Sequence, residues 1–298
     1  ILITFKSRYT SGLFFMKKIL FFIFTKSIGI YINLLSFVFP KKASQLAYAF
    51  FSEPREGKLS KTSLPEILQE AQSETFQNEE HSFHTYTWKG NDIVILLVHG
   101  WESNASRWGN LLPYLKKSGS TIIAIDGPAH GLSSGKEFSI PKYAEFIHIA
   151  VEKFKPQYLI GHSIGGKTCL YYQSVYQNDS LKKMVILGSP SDFNIILNNY
   201  ITLLSLNAKI SKSLEDHYLN NFKLSLEQFS GKLFASKISI KGLIAHDIDD
   251  TVVLFEEGKK IAGAWENAVF IETKGLGHSM HDAELYQKVS DFLFESDN

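Results

Sequence analysis

The sequence predicts an α/β fold: a mostly parallel, doubly wound sheet with helices on both faces and a small helical cap. Three observations predict it. From Ser82 onward, short apolar runs of strand length alternate with helical patterning. Those runs are continuous rather than alternating, as in Ile93-Val94-Ile95-Leu96-Leu97-Val98, which suits strands buried on both faces. The alternation then lapses over 191–237, too long a stretch for a loop in a compact domain, and a helical insertion over the sheet's carboxyl edge accounts for it.

Composition sets the bounds. A chain of 298 residues has room for one large α/β domain and an appendage. With 31 basic against 30 acidic residues the net charge is +1, so no basic excess points to nucleic acid as a partner. A single cysteine, Cys169, excludes an intramolecular disulfide and a multi-cysteine metal site. It reads as a buried structural thiol.

Residues 1–80 read as an apolar, helical extension and linker. The chain begins at Ile1, and Met16-Lys17-Lys18 resembles a start. The segment 19–39 is long and apolar enough to cross a bilayer. Lys17 and Lys18 before it, with Ala47-Tyr48-Ala49 after it, resemble a secretory signal and its cleavage site. Lys26 and Asn33 within it favour instead an amphipathic helix, packed on the domain or lying on a membrane surface. The expectation is a cytoplasmic protein with membrane association through 19–39. Residues 43–51 form a short aromatic helix, 52–58 a polar link, and 64–76 a helix with Pro65 in its first turn.

Residues 81–190 carry the first part of the core. Strand composition at 83–88 leads through the turn Lys89-Gly90-Asn91-Asp92 into the run 93–98. Helical patterning at 108–117, a strand at 121–125, a helix at 142–155 and strands at 157–160 and 183–187 follow. The cap occupies 191–237. Residues 238–298 complete the core with a strand at 238–245, a helix at 256–264, a strand at 267–272 and a closing helix at 282–295.

Tyr158-Leu159-Ile160-Gly161-His162-Ser163-Ile164-Gly165-Gly166 is a strand end, a Gly-x-Ser-x-Gly turn and a helix start. That context makes Ser163 a candidate nucleophile. Its base is expected in the glycine loop after the last strand, at His278, because imidazole exchanges protons near neutral pH; His281 would begin the following helix. Three aspartates, Asp247, Asp249 and Asp250, compete for the acid in the loop after the penultimate strand. Asp250 is far enough along it to clear the strand tip and turn back; Asp247 is second, and Asp192, just after the strand ending at Leu187, is an outside candidate. The oxyanion donors would be the backbone N–H groups of Trp101 and Ile164, with His99 shaping the loop. Asp126-Gly127-Pro128-Ala129-His130-Gly131 reads as a rigid turn, since no second cluster of ligands accompanies it, and no metal is expected. In the cap, Phe193, Leu197 and Tyr200 are candidate lining for an apolar acyl or alcohol group.

These residues resemble the α/β-hydrolase family, in particular its esterase- and lipase-like members with a small helical cap, from about Phe83 to the C-terminus. His99-Gly100-Trp101 matches the family's oxyanion loop. Asp126 to Gly131 looks like its Asp-x-Pro-Gly-His-Gly turn, with Gly-Pro-Ala in place of the usual middle. Gly161-His162-Ser163-Ile164-Gly165 matches its nucleophile turn and Gly277-His278 its base. Asp250-Thr251-Val252-Val253 looks like its Asp-x-x-Val acid loop, which supports Asp250 over Asp247, although relatives often carry glycine where Asp247 stands. The order Ser, Asp, His is the family's. The resemblance implies a serine hydrolase acting on a small-molecule carboxylic ester or related acyl substrate, through an acyl-enzyme and with no cofactor. Thioesterase, amidase or peptidase, and C–C hydrolase activities run on the same triad, and a low-turnover binding protein would keep the same fold.

Overall fold

Elements of the computed structural model run α1 (Ser11–Val38), α2 (Pro40–Ser52), α3 (Glu66–Gln69), β1 (Gln72–Asn78), β2 (His81–Trp88) and β3 (Asn91–Val98). After these come α4 (Leu112–Lys116), β4 (Ser120–Ile125), α5 (Ile140–Phe154), β5 (Tyr158–His162), α6 (Ile164–Tyr176) and β6 (Lys183–Leu187). The chain closes with α7 (Phe193–Leu204), α8 (Ala208–Phe222), α9 (Gly231–Ala235), β7 (Lys241–Asp247), α10 (Phe255–Ala262), β8 (Ala268–Thr273) and α11 (Ala283–Phe294). Residues 11–295 are described, so the start of the chain at Ile1 lies outside the described residues.

The strands form one sheet in the order β1-β2-β4-β3-β5-β6-β7-β8. β3 to β8 pair in parallel, while β2 runs against both β1 and β4. The middle strands are the continuous apolar runs: Ile95 to Val98, Leu159, Ile160 and Met184 to Ile186 are all fully buried. Strand order reverses at β3, which has β4 on one side and β5 on the other. The crevice outside the carboxyl ends at such a reversal is where open α/β sheets bind ligands. The loops after β3 and β5 leave from that point.

The described residues divide into two units, one made of those up to Ser52 with Asp192–Phe229, the other of Glu53–Ser191 with those from Ser230 to Glu295. This corrects the expected boundaries. Residues 53–80 belong with the sheet rather than to a linker, and the N-terminal helices join the insertion in one helical unit. In that unit α1 packs on α2 and α7, and α2 on α8. Gly29 permits the α1–α7 approach: a Cβ there would lie 1.6 Å from the Leu204 carbonyl oxygen.

The helix expected over 64–76 is also corrected. It stops at Gln69, and 72–78 is the edge strand β1. Its register sets Phe76 opposite Phe83, and the two rings stack at 5.2 Å. Cross-strand packing has overridden the local helical signal.

Candidate active site

Three loops at the carboxyl ends of the strands bring Ser163, His278 and Asp250 together. Ser163 sits between β5 and α6, at φ 55° and ψ −129°, a backbone conformation that strains a residue with a Cβ. Its N–H donates to the Leu187 carbonyl at 2.8 Å, which ties the turn to β6. The tip of β3 lies against it, since a Cβ on Gly100 would stand 2.9 Å from the Ser163 Cβ. Trp101 follows directly. Ile164 is the first residue of α6, where a helix leaves its N–H without an intrahelical acceptor.

His278 occupies a 3-10 turn, Gly277–Ser279, after β8. Its Nδ1 is 2.8 Å from Asp250 Oδ2 and its Nε2 is 2.9 Å from Ser163 Oγ. An ionised carboxylate only accepts, so Nδ1 carries the proton and Nε2 is free to accept from the serine hydroxyl. Asp250 is buried, and its Oδ1 accepts from the N–H groups of Val252 (2.8 Å) and Val253 (2.9 Å). Burial pushes this carboxyl up, but hydrogen bonding to His246 and His278 and the Val253 amide outweigh burial and hold it well below the usual carboxylate range. His246 Nε2 donates to the Val253 carbonyl at 2.9 Å and stands 3.5 Å from Asp250 Oδ2.

The other candidate acids have different work. Asp247 grips the histidine loop from below. Its Oδ2 accepts from Thr273 Oγ1 (2.8 Å) and Leu276 N (3.0 Å), and its Oδ1 from Gly277 N and Asp249 N, both at 3.0 Å. Burial pushes its pKa up, and these bonds more than reverse the push. Asp192 is the N-cap residue of α7, in the helical unit. His281 is hydrogen-bonded to the Tyr286 hydroxyl.

Two framing groups shape the crevice. His99 is fully buried; its Nδ1 donates to the Gly100 carbonyl (2.7 Å) and its Nε2 accepts from Gly127 N (2.9 Å). Burial, with His130 nearby, keeps it neutral, its pKa well below the ordinary imidazole value. Asp126 accepts from Ala105 N, Leu132 N and the Tyr86 hydroxyl, so this turn is a clamp rather than a ligand set. No cluster of three metal-ligating side chains occurs among the described residues.

The proposed pocket lining is corrected. Phe193, Leu197 and Tyr200 are buried as core of the helical unit. Phe193 meets Phe51, Tyr218 and Phe229, and the Tyr200 hydroxyl donates to the Ala47 carbonyl at 2.7 Å. Their apolar character serves packing, and the inference of an apolar substrate group loses its basis.

Sequence reading missed His162, the variable residue just before the serine. Its Nε2 donates to the carbonyl oxygen of His278 at 2.7 Å. A polar side chain in an otherwise apolar strand end was the available signal.

Residues 93–281, more than half of the chain, match the family model for the alpha/beta hydrolase fold. The chain belongs to the alpha/beta hydrolase family. This hydrolase is 27% identical over 241 residues to the Bifunctional esterase/perhydrolase DCH of Acinetobacter calcoaceticus, across 64% of its own chain and 87% of that protein. It is 24% identical over 215 residues to Phospholipase YtpA of Bacillus subtilis (strain 168), across 68% of its chain and 75% of that protein. The bromoperoxidase from Bacillus anthracis has a similar fold, with a TM-score of 0.59 at 19% identity over 75% of this chain and 100% of that one. Family and curated relatives together support a hydrolase.

Proposed function

We propose that this protein is a serine hydrolase that cleaves a carboxylic ester, or a related acyl bond, through Ser163, His278 and Asp250. One observation carries the reading: a single imidazole is hydrogen-bonded on one side to a buried carboxylate and on the other to a hydroxyl on a strained turn. Ser163 Oγ attacks the acyl carbon while His278 Nε2 takes its proton. Asp250 holds the Nδ1–H and stabilises the imidazolium. The N–H groups of Trp101 and Ile164 face the oxyanion, and one such donor is worth about 10²–10³ in kcat. His278 then hands the proton to the leaving alkoxide as the C–O bond breaks, and the acyl group stays on Ser163. Water, deprotonated by His278, attacks the acyl-enzyme; the acyl C–Oγ bond then breaks, His278 returns the proton to Ser163 Oγ, and the acid leaves. The names of the esterase and phospholipase relatives support an oxygen ester as the bond cleaved.

Fluorophosphonate labelling and p-nitrophenyl acetate hydrolysis test the reading. Wild type labels and turns over, and Ser163→Ala does neither. Equal labelling of the two proteins would remove Ser163 from the role. A matched panel of ester, thioester and anilide ranks the leaving groups, and labelling without turnover of any of them would point to a binding protein.

A further inference from the structure

α1 carries its polarity the reverse way for a helix in water. A soluble helix turns its apolar stripe to the core and its polar residues outward. Among the described residues of α1, Thr25, Gly29, Ile32 and Ser36 are the buried positions, and the side chains of Lys26, Asn33 and Ser36 point to the α7–α8 turn. Lys26 Nζ donates to the Thr202 carbonyl (3.1 Å) and to Ser205 Oγ (2.7 Å), at the end of α7 where carbonyls favour a cation. Asn33 donates to the Ser205 carbonyl and accepts from Asn207 N, both at 2.8 Å. Ser36 Oγ is 3.0 Å from Asn207 Nδ2, and Lys209 Nζ donates to the Ser36 carbonyl at 2.8 Å.

The opposite face is bare and apolar. Leu20, Ile23, Ile30, Leu34 and Phe37 are each more than half exposed, up to 76% at Phe37. Within Ile19–Val38 only 22% of the most apolar window is buried. Beside this face, α1 and α2 enclose a groove of about 420 Å³ lined by Phe24, Ser27, Ile28, Tyr31, Leu46 and Phe50.

We propose that this face docks on an anionic lipid surface, with α1 lying in the membrane plane rather than crossing it. The charge of the segment fits that occupant. No aspartate or glutamate occurs before Glu53, Lys17 and Lys18 precede the apolar run, and Lys41 and Lys42 follow it; the last two are exposed. Basic residues flanking an apolar helix face are what an anionic interface attracts. A protein partner fits less well, because protein interfaces carry about one hydrogen bond per 100–200 Å² and Ser27 and Tyr31 are the few polar side chains on this side. The in-plane orientation follows from the inward face. Lys26, Asn33 and Ser36 are spread along the helix and bonded to the α7–α8 turn, so a spanning α1 would draw that turn and Lys209 into hydrocarbon. The groove's largely apolar lining suits a lipid tail. The proposal does not depend on the catalytic reading.

Flotation of the whole chain with vesicles of phosphatidylcholine, with and without phosphatidylglycerol, tests it. Wild type floats with the phosphatidylglycerol vesicles and less with phosphatidylcholine alone. Ile30→Glu/Leu34→Glu lowers the bound fraction about tenfold or more, and Lys41→Glu/Lys42→Glu removes about tenfold of the preference for the anionic vesicles. Both variants keep the wild-type circular dichroism, and Ser163→Ala floats like wild type, so a failed catalytic reading leaves this result intact. Alkaline carbonate releases the bound protein. Wild type that floats with neither vesicle overturns the proposal, and carbonate-resistant protein overturns the in-plane orientation. A wild-type dimer in sedimentation that Ile30→Glu/Leu34→Glu dissociates, without flotation of either, assigns the face to a second copy instead.

Discussion

His162 and His278 are joined by a hydrogen bond from the Nε2 of the first to the main-chain carbonyl of the second, 2.7 Å away, with their rings 5.0 Å apart. The residue beside Ser163, the proposed nucleophile, thereby fixes the backbone of His278, its proposed base. His162→Phe removes that donor while keeping a ring. It is expected to lower kcat on p-nitrophenyl acetate by about 10–100-fold, the cost of a misplaced catalytic group, with KM little changed. His162→Gln, which restores a donor, recovers part of the loss. Equal kcat in the three proteins would remove the positioning role.

Asp250 and Asp247 separate by what their loss does. Asp250→Asn takes the carboxylate from His278 Nδ1 and is expected to reduce kcat by about 10⁴ with a modest change in stability. Asp247→Asn leaves the His278 contact in place and weakens the grip on Leu276 and Gly277. It is expected to cost about 1–3 kcal/mol in urea unfolding, with the smaller effect on kcat. Steady-state rates and unfolding curves for both variants check the pair, and the reverse ordering of kcat would exchange the two roles.

Stability is expected to fall between pH 6.5 and 5. Burial holds His99, His130 and His162 below the ordinary imidazole value, His130 at about 4. In the unfolded chain such groups titrate near 6.5. Below that pH the unfolded chain binds protons that the folded protein refuses, so acid favours unfolding. Each histidine that stays neutral contributes a slope of about 1 kcal/mol per pH unit. Urea unfolding at pH 7.5, 6 and 5 measures the slope. In His130→Gln it is shallower, and an unchanged slope there would exclude His130 as a contributor.

Gly165 is held by space. A Cβ at this position would stand 2.2 Å from the His99 carbonyl oxygen and 2.5 Å from that of Val98. Neither is the end of a flexible side chain, so α6 and β3 would have to separate. Gly165→Ala is expected to lose roughly 1–3 kcal/mol and to label poorly with fluorophosphonate, because the same shift displaces Ser163 from His278. Wild-type labelling by this variant would show that the elements separate without consequence.

The middle of the fold was legible because its strands are buried on both faces. Ile93 to Val98 and Leu159-Ile160 are apolar without a break, and the turns after them hold the residues that meet in the crevice. β1 was not legible: Gln72 to Thr75 are exposed on an edge, so neither face leaves a pattern. The union of the N-terminal helices with the insertion was hidden for another reason. It rests on pairs such as Gly29–Leu204 and Asn33–Asn207, far apart in sequence, and neither segment alone signals its partner. Phe193, Leu197 and Tyr200 were misread because an apolar residue in an insertion looks the same whether it meets a substrate or a neighbouring helix. Asp247 was visible as a candidate, but its work depends on the main-chain amides of Leu276 and Gly277, which sequence does not locate.

The φ of 55° at Ser163 makes the usual inactive control a poor baseline for heat resistance. A side chain held there costs about 1–3 kcal/mol, which alanine still bears and glycine escapes. Glycine gives back only part of that gain, about 0.4–1 kcal/mol, through the greater freedom of its unfolded chain. Ser163→Gly should therefore melt above Ser163→Ala in a thermal scan, though the proposed mechanism leaves both without turnover. At this one position selection for turnover and selection for endurance pull in opposite directions.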